Sequence, residues 1–364
     1  MLAQAGSRMD MQFIFLDPAK DACAAEYGRH ICAAWDDHAA LTELATQSDV
    51  VTFDFENVPD SSASLIESLC PVYPPPVALH ASQDRLREKQ LMGELGIPVA
   101  PYSPVSTRPE LMQAIEQIGL PCVLKTRQFG YDGKGQMLLR LPEDMERAWQ
   151  QLGDNPLVCE GFVPFETECS IIAARGIDGE TVYWPLTRNL HRDGILAISM
   201  APVFDDALQQ QAQDLITKLL DKLNYVGVLA LELFVLDGNL LVNEFAPRVH
   251  NSGHWTIDGS QTSQFENHLR AICGLPLGDT SLVSRSLMFN LLGEMPACAH
   301  SAFEDKPPMA SVHWHDYHKA ARAGRKIGHV TVTANTPSGL HAKSAQLAAE
   351  LGVAAELNLS AVLD

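Results

Sequence analysis

Val228-Leu-Ala-Leu-Glu-Leu-Phe-Val235, then Asp237-Gly-Asn239, then Leu240-Leu-Val-Asn-Glu-Phe-Ala246 is the stretch on which the reading of this chain turns. Two apolar runs of strand length on either side of turn-forming residues predict a β-hairpin. Each run carries one glutamate in otherwise apolar sequence, and a buried ionised carboxylate is costly without a partner. If Asp237, Gly238 and Asn239 form the loop, Leu236 pairs with Leu240 and Glu232 lies opposite Glu244 on one face. Like charges so placed repel unless a cation stands between them. Mg²⁺ is usually held in this way in nucleotide sites, by one or two carboxylates together with phosphate oxygens. The plainer alternative is that one glutamate pairs with a lysine or is protonated.

Upstream, Lys125-Thr-Arg-Gln-Phe-Gly-Tyr-Asp-Gly-Lys-Gly-Gln136 follows the apolar Pro121-Cys-Val-Leu124. Gly130, Gly133 and Gly135 let backbone N–H groups approach a polyphosphate without interference from Cβ, and Lys125 at the strand end offers a point charge to phosphate oxygens. A glycine-rich hairpin with a solvated lysine is the alternative, and the spacing is neither Walker A nor the Rossmann dinucleotide pattern. Downstream, Ala246-Pro-Arg-Val-His-Asn-Ser-Gly-His254 is dense in polar groups directly after Glu244. Arg248, His250, Asn251 and His254 suit a small planar anion such as bicarbonate, with Arg248 binding bidentately; surface hydrogen-bonders are the competing reading. In Lys319-Ala-Ala-Arg-Ala-Gly-Arg-Lys-Ile-Gly-His329, the cations Lys319, Arg322, Arg325 and Lys326 could bind a sugar phosphate, although composition alone favours a solvated basic loop.

The formal charge of −19 argues against a general nucleic-acid binder, so an anionic ligand must be met by a local cluster of this kind. The 364 residues, 46% hydrophobic and 20% charged, suffice for two or three packed domains. Eight cysteines lie scattered without a C-x-x-C pair, which predicts reduced thiols. No secretory leader is expected at the start and no apolar run is long enough for a membrane span, so a soluble cytoplasmic protein is expected.

Residues 12–16 and 49–53 are short apolar runs separated by helix-compatible sequence, which predicts parallel strands and an α/β opening. Thr107 and Glu110 predict a capping box for a helix ending before Gly119. Leu208, Ala212, Leu215, Ile216, Leu219, Leu220 and Leu223 recur at helical spacing. From Ser284 onward come shorter strands, including Val330-Thr-Val-Thr333, and a helix over 342–351. The boundaries expected are 1–80, 81–277 and 278–364.

Taken together, Thr52-Phe-Asp-Phe-Glu-Asn-Val-Pro59, Gln83-Asp-Arg-Leu-Arg-Glu-Lys89, Phe129-Gly-Tyr-Asp-Gly-Lys-Gly135, Asn189-Leu-His-Arg-Asp-Gly-Ile195, the run Asn243 to His254 and Gly324-Arg-Lys-Ile-Gly-His329 resemble the N5-carboxyaminoimidazole ribonucleotide synthetases, over about Met1 to His329. The resemblance implies an α/β and α+β chain: a Rossmann-like, biotin-carboxylase-N-like domain, an ATP-grasp domain and a small β-rich C-terminal domain. It implies ATP-driven carboxylation of aminoimidazole ribonucleotide by bicarbonate through carboxyphosphate, with Mg²⁺ or Mn²⁺, in a homodimer. By matching positions, Arg85 and Lys125 hold phosphates under a loop of Gly130, Tyr131, Asp132, Gly133, Lys134, Gly135 and Gln136. Glu160, Gly161, Phe162 and Val163 contact adenine, Glu168 the ribose, and His191 and Asn243 the nucleotide. Glu232 and Glu244 match the metal carboxylates, Arg248, His250 and Asn251 the bicarbonate pocket, and Lys319 and Arg325 the substrate phosphate site, with Lys134 also facing substrate.

One departure stands out. Family members open with an apolar strand and a Gly-Gly-Gly-Gln-Leu-Gly-Arg-like turn expected to line the aminoimidazole site, whereas this chain begins on the helix-like Met1-Leu-Ala-Gln-Ala-Gly6. The expectation is an upstream extension of the reading frame or, without one, impaired substrate binding with ATP binding intact. Another ATP-grasp ligase and a catalytically impaired ATP-binding protein are the competing functions.

Overall fold

Strands Gly227–Leu236 and Asn239–Ala246 pair antiparallel. Their turn has two residues, Asp237 at φ 50° and Gly238 at φ 71°, so both central positions lie in the left-handed region of a type I′ hairpin. The three-residue loop expected from sequence is therefore one residue too long: Leu236 pairs with Asn239, not Leu240. A bulge restores the count. Leu233 pairs with Val242 and Glu232 with Glu244, which leaves Asn243 as the extra residue. The two glutamates face each other as expected, by way of a tighter turn and a bulge.

This computed structural model describes residues 1–130, 133–296, 299 and 310–353. The hairpin is one edge of a nine-stranded sheet that continues through Thr167–Arg175, Thr187–Arg192, Ile195–Ala201, Arg285–Gly293, Arg322–Ala334 and Ala310–Asp316, with Thr181–Tyr183 pairing on Thr167–Arg175. The sheet thus runs without a break across residue 278. Alternation along Gly227–Leu236 sends Leu229, Leu231, Leu233 and Val235 into a core closed by Ala212, Leu215, Ile216, Leu219 and Leu220 of helix Asp206–Lys222. Asp205 caps that helix through Ala207 N and Leu208 N. Val228 and Ala230 take the opposite face with Phe265 of helix Gln264–Ile272, and Glu232 shares their parity.

A smaller antiparallel sheet, ordered Tyr102–Val105, Leu157–Gly161, Cys122–Thr126, Gln136–Leu139, is backed by helices Arg108–Ile118 and Asp144–Leu152. The Thr107–Glu110 capping box is present, and Gly119 ends its helix at φ 89°. Helix Arg85–Glu94 stands between the two sheets.

The amino-terminal unit has the parallel pairing expected, with a different partner. Ile14–Leu16 pairs with Arg29–Ile31, a strand too short and polar to read from sequence, while the 49–53 run contributes one parallel bridge, Val51 to Val72. Helices His38–Thr46 and Asp60–Glu67 pack on it. The carboxy-terminal helix spans Pro337–Glu350, beginning earlier than expected because Thr336 caps it and Pro337 suits its first turn.

Candidate active site

Asp84 fixes one side of a cluster of charged side chains. Its Oδ1 accepts from Leu86 N at 2.9 Å to cap helix Arg85–Glu94, and both its oxygens accept from Arg127, at 3.0 Å from Nε and 2.7 Å from Nη2. With the first turn so fixed, Arg85, Glu88 and Lys89 share one helix face at i, i+3 and i+4. Arg85 Nη1 lies 2.8 Å from Glu244 Oε2 on the hairpin, and its Nη2 is 3.5 Å from Gly130 O in the glycine loop. Lys89 Nζ at 3.2 Å and Lys125 Nζ at 3.0 Å meet on the same oxygen, Glu160 Oε2.

Burial would push the Glu160 carboxyl up, but Lys125 and Lys89 outweigh it and hold it at about 2. Burial lowers the Lys125 ammonium, with Glu160 opposing. Glu88 goes the other way: burial and its neighbour Glu244 raise it to about 8, while its Oε1 accepts from Phe245 N at 2.7 Å. At neutral pH Glu88 is therefore mostly protonated, and Arg85, Lys89 and Lys125 face two carboxylates, Glu160 and Glu244. One positive charge is left over, and Glu160 Oε1 is buried with no partner. The cluster forms a floor whose excess positive charge suits an anionic ligand.

Beyond the floor, Glu232 Oε1 lies 3.0 Å from His250 Nε2. The proton on that ring can be placed. His250 Nδ1 is 3.3 Å from the donating Ser252 N and 2.8 Å from Ser252 Oγ, which itself accepts from Ser170 Oγ at 2.7 Å. Nδ1 is thus an acceptor, and Nε2 carries the hydrogen donated to Glu232. Asn189 and Ser199 extend this buried chain behind Ser170. Although burial opposes it, the His250 bond holds the Glu232 carboxyl at about 2. His191 Nδ1 lies 2.7 Å from Glu168 Oε2, and that bond, with the charges of Glu232 and Glu244, raises the imidazole against the effect of burial.

Glu232 and Glu244 thus face each other in register, each held by its own donor. Two carboxylates on one face are the hard oxygen set that suits Mg²⁺, and both oxygen and nitrogen of the neighbouring Asn251 amide are buried without partners. The residues present fit a divalent ion.

Toward the amino-terminal unit, Glu56 Oε2 accepts from Arg248 Nε at 2.9 Å and Nη2 at 2.7 Å, and Arg248 Nη1 donates to Val249 O at 3.0 Å. The guanidinium is anchored by the amino-terminal unit. Lys319 Nζ sits 5.2 Å from the centre of the Tyr317 ring, and Arg325 Nη1 donates to Ala320 O at 3.1 Å in the same carboxy-terminal hairpin. In the glycine loop a Cβ on Gly135 would stand 2.6 Å from Thr126 Oγ1, and one on Gly133, at φ 73°, 3.0 Å from Asp193 O. Lys134 and Gln136 are exposed; Tyr131 and Asp132 lie outside the described residues. In the segment expected at adenine, Gly161 N donates to Pro101 O and Phe162 N to Pro121 O, Phe162 is exposed and Val163 half-buried. The Glu160 side chain turns into the lysine pair.

The structure therefore gathers Arg85, Lys125, Glu160 and Glu244 in one cluster, with Glu168, His191, Glu232 and His250 linked to it by charge, while Lys319 and Arg325 stand in the carboxy-terminal hairpin. Sequence reasoning missed Glu56, Glu88, Lys89, Ser252 and Tyr317 as site residues. Lys89 and Glu88 had a signal, their helical spacing from Arg85, and Ser252 lies two residues from His250, whereas Tyr317 meets His254 only through a tertiary contact.

Three family models match the chain: a ribonucleotide synthetase preATP-grasp domain over 1–83, an ATP-grasp domain over 90–265 and a phosphoribosylaminoimidazole carboxylase C-terminal domain over 286–343. The chain is 48% identical over 349 residues to an N5-carboxyaminoimidazole ribonucleotide synthase of Pseudomonas aeruginosa, covering 96% of this chain and 95% of that relative. It is 40% identical to the Bacillus subtilis synthase of the same name over 335 residues, 91% of this chain and 87% of that one. Among solved structures, the Thermus thermophilus N5-carboxyaminoimidazole ribonucleotide synthetase superposes with a TM-score of 0.90 at 45% identity, covering 96% and 94% of the two chains. An Aspergillus clavatus synthase in complex with ADP and 5-aminoimidazole ribonucleotide does so at 0.87 and 31% identity, covering 98% and 96%.

Proposed function

Because the chain belongs to the N5-carboxyaminoimidazole ribonucleotide synthase family, we propose that its cleft divides one reaction between a phosphate floor, a carboxylate pair and a substrate wall. The chain is an ATP-grasp ligase of purine biosynthesis that converts 5-aminoimidazole ribonucleotide to its N5-carboxy derivative at the expense of ATP.

The proposal concerns which residues do this. Bicarbonate is a poor electrophile, and phosphorylating it makes a mixed anhydride from which the substrate amine takes the CO₂ unit, with ADP and phosphate as the other products. Arg85, Lys125 and Lys89 bind the phosphates, with the loop 130–136 as cover. Glu160 holds the two lysines in place, residues 160–163 border the adenine, and Glu168, His191 and Asn243 meet the rest of the nucleoside. Glu232 and Glu244 hold Mg²⁺, which supplies charge neutralisation at the phosphate oxygens; Mn²⁺ is the natural substitute. Arg248 and Asn251 bind bicarbonate, and His250, which gives its Nε2 hydrogen to Glu232, positions that carboxylate. Lys319 and Arg325 bind the ribonucleotide phosphate, with Lys134 over the substrate. We place the domain limits at 1–80, 81–277 and 278–364, and read the chain as a cytoplasmic homodimer. Among the described residues no helix is long and apolar enough to cross a membrane.

The observation that supports this assignment above the others is the convergence of Arg85 on Glu244 and of Lys89 and Lys125 on Glu160. ADP release is the test: it should require aminoimidazole ribonucleotide and bicarbonate together. Release that ignores both would instead identify an ATP-binding protein with an impaired second site.

A further inference from the structure

At the seam between the ATP-grasp body and the carboxy-terminal strands, His315 and His329 face each other as a cross-strand pair, their rings stacked at 4.3 Å between centroids and 15° between planes. Asp258, on the short helix Thr256–Gly259, reaches the pair from the other side, its Oδ2 2.8 Å from His315 Nε2. One ligand atom from each of these three residues lies within 4.8 Å of the other two, and among the described residues no other group of three or more histidine, cysteine or carboxylate ligands is set so closely.

A second observation points to a ligand. His329 is fully buried, yet its Nε2 has no partner, an expensive arrangement unless something meets it. Its Nδ1 lies 2.8 Å from the Tyr317 hydroxyl, which is also 3.0 Å from His254 Nδ1. A phenol has one proton for two imidazoles, so one histidine must itself be the donor. With Nδ1–H of His329 donating to the Tyr317 oxygen, Nε2 keeps its lone pair. A metal-bound histidine characteristically has this form, one nitrogen ligating and the other anchored by an outer hydrogen bond.

We propose that Asp258, His315 and His329 form a binding site for one transition-metal ion of the Zn²⁺ class, with a water in the fourth position, that clasps the carboxy-terminal strands to the ATP-grasp body. Two imidazoles and one carboxylate suit such an ion and disfavour Mg²⁺, so the site is chemically distinct from the Glu232–Glu244 pair and does not rest on its assignment.

The test uses the full chain without a histidine tag, stripped with chelator and titrated with Co²⁺ as a spectroscopic probe. One equivalent should bind with the intense visible bands of tetrahedral Co²⁺, Zn²⁺ should displace it, and the metal should raise the melting temperature. Both His315→Gln and Asp258→Asn should lose the bands, while Glu232→Gln keeps them; far-UV circular dichroism confirms that each variant is folded, and either one suffices if the other is not. No bands, weak octahedral bands, or bands that survive substitution in a folded variant would overturn the proposal.

Discussion

The lysine–glutamate floor and the histidine seam handle buried polarity in opposite ways. In the floor, Lys89 and Lys125 converge within about 3 Å on one oxygen of Glu160, and the carboxyl between them is held at about 2 against burial. In the seam, burial drives His254 and His329 well below the ordinary histidine range, and the two rings share one Tyr317 hydroxyl as neutral partners. A floor in which two lysines share one carboxylate has positive charge to spare for a polyanion. A seam built around buried rings that resist protonation keeps an imidazole lone pair for a metal.

The largest effect that would break this comparison is expected at Lys125. Lys125→Ala removes one of two cations from Glu160, and the KM for ATP should rise by about 100-fold while that for bicarbonate is unchanged. An equal rise in both would remove Lys125 from the phosphates. Next, His250→Asn takes the donor from Glu232 and should cost about 1–3 kcal/mol in a urea titration, as expected for a buried acceptor left without its partner. Arg248→Lys keeps the charge but loses the two-point contact with Glu56; about a tenfold rise in the KM for bicarbonate is expected, with ATP affinity unaltered.

Glu88 offers a smaller, pH-dependent test. Its folded-state pKa of about 8 lies above the ordinary 4.5, so the folded chain binds the extra proton between those values. Its contribution to stability is complete below about pH 4.5 and is lost as pH rises through about 8. Glu88→Gln should flatten the decline of the urea midpoint over that window, and a decline of unchanged slope would mean that another group carries it. Smallest of all, Tyr317→Phe removes one hydroxyl shared by two rings in the seam and should lower stability by about 1 kcal/mol without changing the KM for ATP.

The same comparison explains what could be read in the sequence. Around the floor, what was legible sits in regular elements: alternation puts Glu232 opposite Glu244, and Lys125 ends an apolar strand, whereas Arg85 and Glu160 came only from the family resemblance. Even there the turn was misjudged, since a two-residue loop plus a bulge at Asn243 gives the same glutamate pairing as a three-residue loop. Lys89 was missed although it is four residues from Arg85 on one helix. The seam was hardly legible, because His254, Asp258, Tyr317 and His329 come together only through long-range packing of the carboxy-terminal strands on the ATP-grasp body. In the amino-terminal unit, Arg29-His-Ile31 has no apolar pattern, so its parallel pairing with Ile14–Leu16 had no local signal.

Glu232 and Glu244 acting as a pair that holds one divalent ion against ATP is the central claim. Calorimetric titration of ATP into the chain with and without Mg²⁺, repeated on Glu232→Gln and Glu244→Gln, tests this directly. Tight binding should require Mg²⁺ in the parent chain, and each substitution should abolish most of the Mg²⁺ dependence. ATP affinity that responds to Mg²⁺ equally in all three proteins would contradict it.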